Sequence, residues 1–240
     1  MDKTYSILFI GNSYTYYNNM PQIFQKIAKS AGFEVNVEAI TSGGYKLYQF
    51  ANPYDECGSR VERALNGGEK YDYVILQEQS VRPATENAAD FYSSVEKLTV
   101  MIRNIGARPV LYSTWGRKSG CDKLFEMGWS NESMTYKIAA SYQAIGKKLG
   151  IKTANAGLAF FDVYTNNKDI ELYDPDMSHP SYAGSFLAAL TLFMTVFGFD
   201  GETLEYNGML DAESSRILKV AAKTAASGGF TIPDEYRIQI

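Results

Sequence analysis

The chain has 240 residues, 45% hydrophobic and 21% charged, with 23 basic side chains against 27 acidic ones for a net charge of −4. At roughly 100–200 residues per domain this length holds one large domain or two small ones, and the composition excludes a disordered chain and a disulfide scaffold. The mild acidity leaves no electrostatic footprint for nucleic acid. The two cysteines, Cys57 and Cys121, read as small core residues. With one histidine, His179, and no cluster of Cys, His and carboxylate at ligand spacing, no metal or other cofactor is expected.

Residues 5–10 (YSILFI) read as a first strand, followed by the turn-forming Gly11-Asn12-Ser13. A helix starts at Pro21, a favoured first helical residue, with Ile23, Phe24, Ile27 and Ala28 on one face. Residues 34–40 form a second strand ending at Thr41-Ser42-Gly43-Gly44, and a short helix near 57–66 groups Val61, Ala64 and Leu65. Residues 72–77 form a third strand. The clearest helix spans 87–105, where Phe91, Val95, Leu98, Ile102 and Ile105 recur at three and four and Gly106 follows. A fourth strand at 109–113, a helix at 131–149 and a short strand near 151–155 come next. An apolar helix begins at Pro180, and an amphipathic one covers about 211–226. The greasiest stretch, Phe186 to Phe199, is too short to span a bilayer and reads as a buried helix. No apolar leader precedes the first strand, so the protein is expected in the cytoplasm if Met1 is the natural start and outside it if a leader has been trimmed.

Strands alternating with helices imply a doubly wound α/β fold, a parallel sheet of about five strands covered on both faces. No repeat or linker divides the chain, which reads as a single domain over 1–240, with 200–240 a C-terminal extension packed on it. Ligands of such sheets bind at the carboxyl ends of the strands, so the chemistry belongs on the loops there.

Gly11-Asn12-Ser13 is not a dinucleotide fingerprint, because Ser13 and Tyr16 stand where glycines are needed, and Gly146-Lys147 lacks the rest of a P-loop. The first strand instead presents Ser13 on a sharp turn. A serine hydroxyl needs a base within hydrogen-bond reach, and a histidine base can only be His179. Pro180 fits the first position of the apolar helix, which would put His179 at its N-cap, where the helix dipole disfavours imidazolium. Asp176, three residues back, can turn onto Nδ1 and counter this. A Gly-Asn-Ser turn or a His before Pro is, alone, only a turn or a cap. Their weight comes from falling on ligand-side loops of one sheet.

Gly11-Asn12-Ser13 after a hydrophobic strand, with Asp176-x-x-His179-Pro180 and Gly184 near the end, resembles the SGNH/GDSL hydrolase superfamily of esterases and lipases. The resemblance implies a flavodoxin-like three-layer α/β/α fold and metal-free ester hydrolysis by a Ser-His-Asp triad, here Ser13, His179 and Asp176. It also implies an oxyanion hole built from the Ser13 and Gly44 backbone N–H groups and a side-chain amide after the third strand. Two departures stand out: Asn12 replaces the usual Asp, and Leu76-Gln77-Glu78-Gln79-Ser80 has no Asn. Gln77 is the first choice for the amide, with Gln79 second, since alternation along a strand points both to one side.

Tyr14 and Trp115 fall on ligand-side loops, where aromatic faces suit sugar rings or acyl chains, and Arg82 is a candidate grip for an acidic substituent. Without a long apolar lid, a small acyl group on a carbohydrate is the expected substrate, with acetyl the leading candidate. A lipase or thioesterase of the same superfamily, or a silent carbohydrate-binding module on the same fold, are the alternatives.

Overall fold

The computed structural model describes residues 3–85, 88–201 and 203–240, so the expected helix start at 87 lies outside the described residues. In chain order the elements are β1 (Tyr5–Gly11), α1 (Ser13–Tyr16), α2 (Met20–Ser30), β2 (Val35–Thr41), α3 (Leu47–Phe50), α4 (Glu56–Asn66) and β3 (Tyr73–Leu76). They continue with α5 (Ala88–Asn104), β4 (Arg108–Tyr112), α6 (Asp122–Met127), α7 (Asn131–Leu149), β5 (Lys152–Ala154), α8 (Ala156–Asn166), α9 (Tyr182–Phe197) and α10 (Ala212–Ala226).

The five strands lie parallel in the order β2-β1-β3-β4-β5. This is the flavodoxin-like order, and the crevice at its switch point opens between the carboxyl ends of β1 and β3. Side chains alternate across the sheet and build two cores. Ile7, Phe9, Ile75, Val110 and Tyr112 face α2, α8, α9 and α10, meeting Phe24, Phe160, Phe193 and Leu218. Leu8, Ile10, Val74, Leu76 and Leu111 face α3, α4, α5 and α7, meeting Phe50, Val61, Phe91 and Ile138. Burying both faces is why β1 and β3 read as continuous apolar runs.

The helix after the histidine starts later than its sequence implied. Pro180 is not its first residue; it pairs with Tyr173 in an antiparallel bridge, and Ser181 is the N-cap, accepting from Gly184 N at 3.2 Å. His179 therefore precedes the cap and sits in a closed loop. The cysteines also differ from expectation: both thiols are free, but only Cys57 is buried, while Cys121 is partly exposed ahead of α6. Among the described residues no helix is long and apolar enough to cross a membrane.

Candidate active site

β1 ends at Gly11, where a methyl group would collide with Thr15 Oγ1 and Gln77 Oε1, so only glycine lets the chain turn there. Asn12 then caps α1 through Oδ1, which accepts from Tyr14 N at 3.1 Å. Its Nδ2 donates to Tyr45 O at 2.9 Å, tying the turn to the loop after β2. Asp could make the cap but not the second bond, a physical reason for Asn12 here. Ser13 takes the first helical position, whose N–H has no intrahelical acceptor.

His179 Nε2 lies 2.7 Å from Ser13 Oγ, and its Nδ1 makes a short hydrogen bond to Asp176 Oδ2. Asp176 Oδ1 also accepts from the backbone N–H groups of Ser178 at 3.0 Å and His179 at 2.9 Å. With Nδ1–H donated to the carboxylate, Nε2 presents its lone pair to the serine hydroxyl. Partial burial pushes the Asp176 carboxyl up, but the bonds from the His179 ring and from both backbone groups outweigh it and hold the acid below its usual range. Asp176 thus stays ionised at neutral pH.

The loop carrying these two residues is braced from several sides. Asp174 N donates to His179 O at 2.8 Å, and Lys118 N donates to Met177 O at 2.9 Å. Met177 adopts a left-handed backbone, φ 60°, which turns the chain so that Asp176 and His179 face each other. Tyr17 lies face to face with the imidazole, centroids 4.1 Å apart, and Tyr14 approaches it at 5.5 Å.

The opening beside Ser13 has a volume of about 190 Å³ and is lined by Ser13, Gly44, Gln79, Ser80, Arg117 and His179, among others. Gly44 has φ +70°, a left-handed conformation that brings the loop after β2 to the cavity edge. Among the described residues, no three His, Cys, Asp or Glu side chains converge as a metal's ligands would.

Several sequence-selected residues lie elsewhere. Gln77 is fully buried: its Oε1 accepts from Asn12 N at 2.8 Å and Thr15 Oγ1 at 2.9 Å, and its Nε2 donates to Glu78 O. Its amide is committed inside the protein and does not reach the cavity. β3 ends at Leu76, so strand alternation no longer governs positions 77–80. Gln79, the second choice, is the amide that lines the opening. Its Oε1 accepts from Val81 N at 3.1 Å and Arg82 N at 3.2 Å, which leaves Nε2 as the end without a partner among the described residues.

Trp115 is likewise no substrate platform. It is fully buried, stacks on Phe160 at 4.1 Å and donates from Nε1 to Ser178 O at 3.2 Å. Tyr14 reaches the cavity lining, but its ring is buried against Trp115 and its hydroxyl pairs with Ser178 Oγ at 2.7 Å. Both support the histidine loop from below. Arg82 is outside the lining: its guanidinium pairs with Asp90 and lies over the Tyr48 ring at 5.2 Å.

Three residues with a part in the site receive no role in the sequence reading. Tyr17 belongs to the tyrosine cluster after Ser13, but no pattern marks which ring meets the histidine. Arg117, two residues past Trp115 on the loop after β4, carries the charge that Arg82 does not bring. Glu78 is fully buried between the two glutamines, accepting from Leu47 N at 3.1 Å and Gln79 N at 2.6 Å. It links the loop after β3 to the start of α3. Burial drives its carboxyl up to about 7 against these bonds and the pull of Arg82 and Lys46.

No protein-family model and no curated protein matches the chain. Among solved structures, a protein from Slackia heliotrinireducens described as an SGNH hydrolase is 36% identical over 81% of this chain and all of its own length, with a TM-score of 0.70. A DUF4886 family protein from Bacteroides uniformis is 18% identical, covering 97% of this chain and 98% of its own, with a TM-score of 0.82. An acetyl-xylooligosaccharide esterase from Geobacillus stearmophilus is 14% identical, covering 84% and 97%, with a TM-score of 0.58. At these identities the last two establish the shared fold.

Proposed function

This chain belongs to the SGNH/GDSL hydrolase superfamily, and on that premise we propose that it is a serine esterase that removes a small acyl group, acetyl foremost, from a carbohydrate. The observation that carries the reading is the unbroken chain from Ser13 Oγ to His179 Nε2 at 2.7 Å and from Nδ1 to Asp176.

In this reading Ser13 Oγ attacks the ester carbonyl carbon while His179 Nε2 takes its proton. Asp176 holds the ring and stabilises the imidazolium. The oxyanion accepts from the N–H groups of Ser13 and Gly44 and from Gln79 Nε2. The tetrahedral species collapses, and the alcohol leaves with the proton from His179. Water, deprotonated by the same nitrogen, then attacks the acyl-enzyme and releases the acid. Tyr17 supplies a π face against the charged imidazolium.

The small cavity favours a short acyl group over a long chain. The acetyl-xylooligosaccharide esterase among the structural neighbours supports a sugar acetate by analogy of fold. A silent binding module would have no use for a serine, an imidazole and a carboxylate in hydrogen-bonded series.

The test is turnover of p-nitrophenyl acetate and acetylated xylooligosaccharides, with mass spectrometry after treatment with a fluorophosphonate. The expected result is hydrolysis of both, one adduct on Ser13, and a loss of several orders of magnitude in Ser13→Ala. Turnover that survives in Ser13→Ala, or no hydrolysis and no adduct in folded wild-type protein, overturns the reading.

A further inference from the structure

The cavity beside Ser13 holds a positive charge without a counter-charge. Arg82 and Arg117 are the half-buried arginines among the described residues. Arg82 has Asp90, whereas no described carboxylate lies within ion-pair distance of Arg117. Arg117 Nε is shielded from solvent and has no hydrogen-bond partner among the described residues. A buried N–H left without an acceptor is costly, and on a cation more so.

The arginine is also held in place. Its backbone oxygen accepts from Asn131 Nδ2 at 2.7 Å, and the next residue, Lys118, donates through its N–H to Met177 O in the loop that carries His179. Of the two carboxylates of that loop, Asp176 is engaged by the histidine, and Asp174 makes no ion pair with Arg117. The backbone of this cavity-lining arginine is thus held in place, and no described carboxylate pairs with its charge.

The geometry points to a substrate that carries its own carboxylate within reach of the scissile ester, gripped by Arg117. This rests on the serine-esterase reading above and narrows it to acidic esters. A guanidinium presents paired N–H groups that match a carboxylate, and a single arginine balances a single negative charge. A phosphate dianion would bring a second charge, which no other cation in the cavity lining is there to meet. The carboxylate can belong to the acyl half, as in a hemisuccinate, or to the alcohol half, as in an acetylated uronic acid. The chemistry at Arg117 is the same in both.

Two matched substrate pairs separate these sources: p-nitrophenyl hydrogen succinate against its methyl ester, and an O-acetyl glucuronic acid against its methyl ester. The readout is the ratio of kcat/KM, acid over methyl ester, in wild type, Arg117→Met and Arg117→Lys, with the melting temperature of each variant checked. Wild type should favour the acid by about 10–100-fold in one pair, the range expected of a charge-assisted hydrogen bond. Arg117→Met should bring that ratio to about one, Arg117→Lys should keep part of it, and added salt should shrink it. A ratio near one in wild type for both pairs, or a preference untouched in Arg117→Met, overturns the inference while leaving the esterase reading in place. If no ester is turned over, the esterase reading fails by itself. Binding of succinate and of glucuronate to wild type and Arg117→Met, followed by NMR, then decides: binding that requires Arg117 supports the inference, and its absence overturns it.

Discussion

Tyr17 lies flat against the His179 imidazole, their ring centroids 4.1 Å apart and the planes 9° from parallel. The ring packs against the histidine between Asp176 and Ser13, and in the proposed mechanism its π face would favour the imidazolium formed when His179 takes the serine proton. A contact of this kind is worth about 0.5–2 kcal/mol. Tyr17→Ala should therefore lower kcat by roughly 2–30-fold with a smaller change in KM, and Tyr17→Phe should retain most of the rate. Steady-state kinetics of the two variants on p-nitrophenyl acetate check this; equal losses in both would shift the role to the hydroxyl.

The two glutamines should separate chemistry from folding. Gln79→Ala is expected to reduce kcat about 10²–10³-fold at near-normal stability, as loss of an oxyanion donor does. Gln77→Ala strands two buried donors, Asn12 N and Thr15 Oγ1, and should destabilise the protein by about 2 kcal/mol or more. Denaturant midpoints alongside kinetics decide the matter, and the reverse pattern would return the oxyanion role to Gln77.

Asn12→Asp would keep the α1 cap and replace the Nδ2 donor with an oxygen facing Tyr45 O, 2.9 Å away in the parent. The variant should lose about 1–3 kcal/mol of stability despite its small change in shape. A melting temperature equal to wild type would mean that the link to the loop after β2 carries no energy.

Glu78 should make stability depend on pH. The unfolded chain releases this proton near the ordinary value of 4.5, while the folded protein keeps it to about 7. Between these values the folded state binds more protons, so the Glu78 contribution is full below 4.5 and is lost as pH rises through 7. The total loss is on the order of 3 kcal/mol. Glu78→Gln, which cannot ionise, should flatten this part of the profile. Urea midpoints of both proteins across the window test it, and parallel profiles would exclude Glu78 as the source.

The sequence by itself determined the parts that depend on local pattern and on scarcity. Apolar runs of strand length and helical periodicity define the alternating elements because one buried face must recur at the period of the backbone. For the proposed chemistry Ser13 would need a histidine base, and the chain has only His179; Asp176 is close enough in sequence to meet it within one loop. Tertiary structure decided the rest. The 4- to 6-residue helices α1, α3 and α6 are too short to show a period, and α8 is apolar on most sides, so no stripe marks it. Pro180 has the chemistry of a helix start, but its bridge to Tyr173 places it before the cap. Gln77 and Gln79 are indistinguishable by alternation, which ends with the strand at Leu76; contacts with Asn12 and Thr15, more than sixty residues away, bury the first and leave the second at the cavity. Arg82 and Arg117 carry the same charge on neighbouring ligand-side loops. The fold sets Asp90 against Arg82 and leaves Arg117 lining the opening beside Ser13 with no described carboxylate, because a side chain's partner is set by where the fold brings distant segments together.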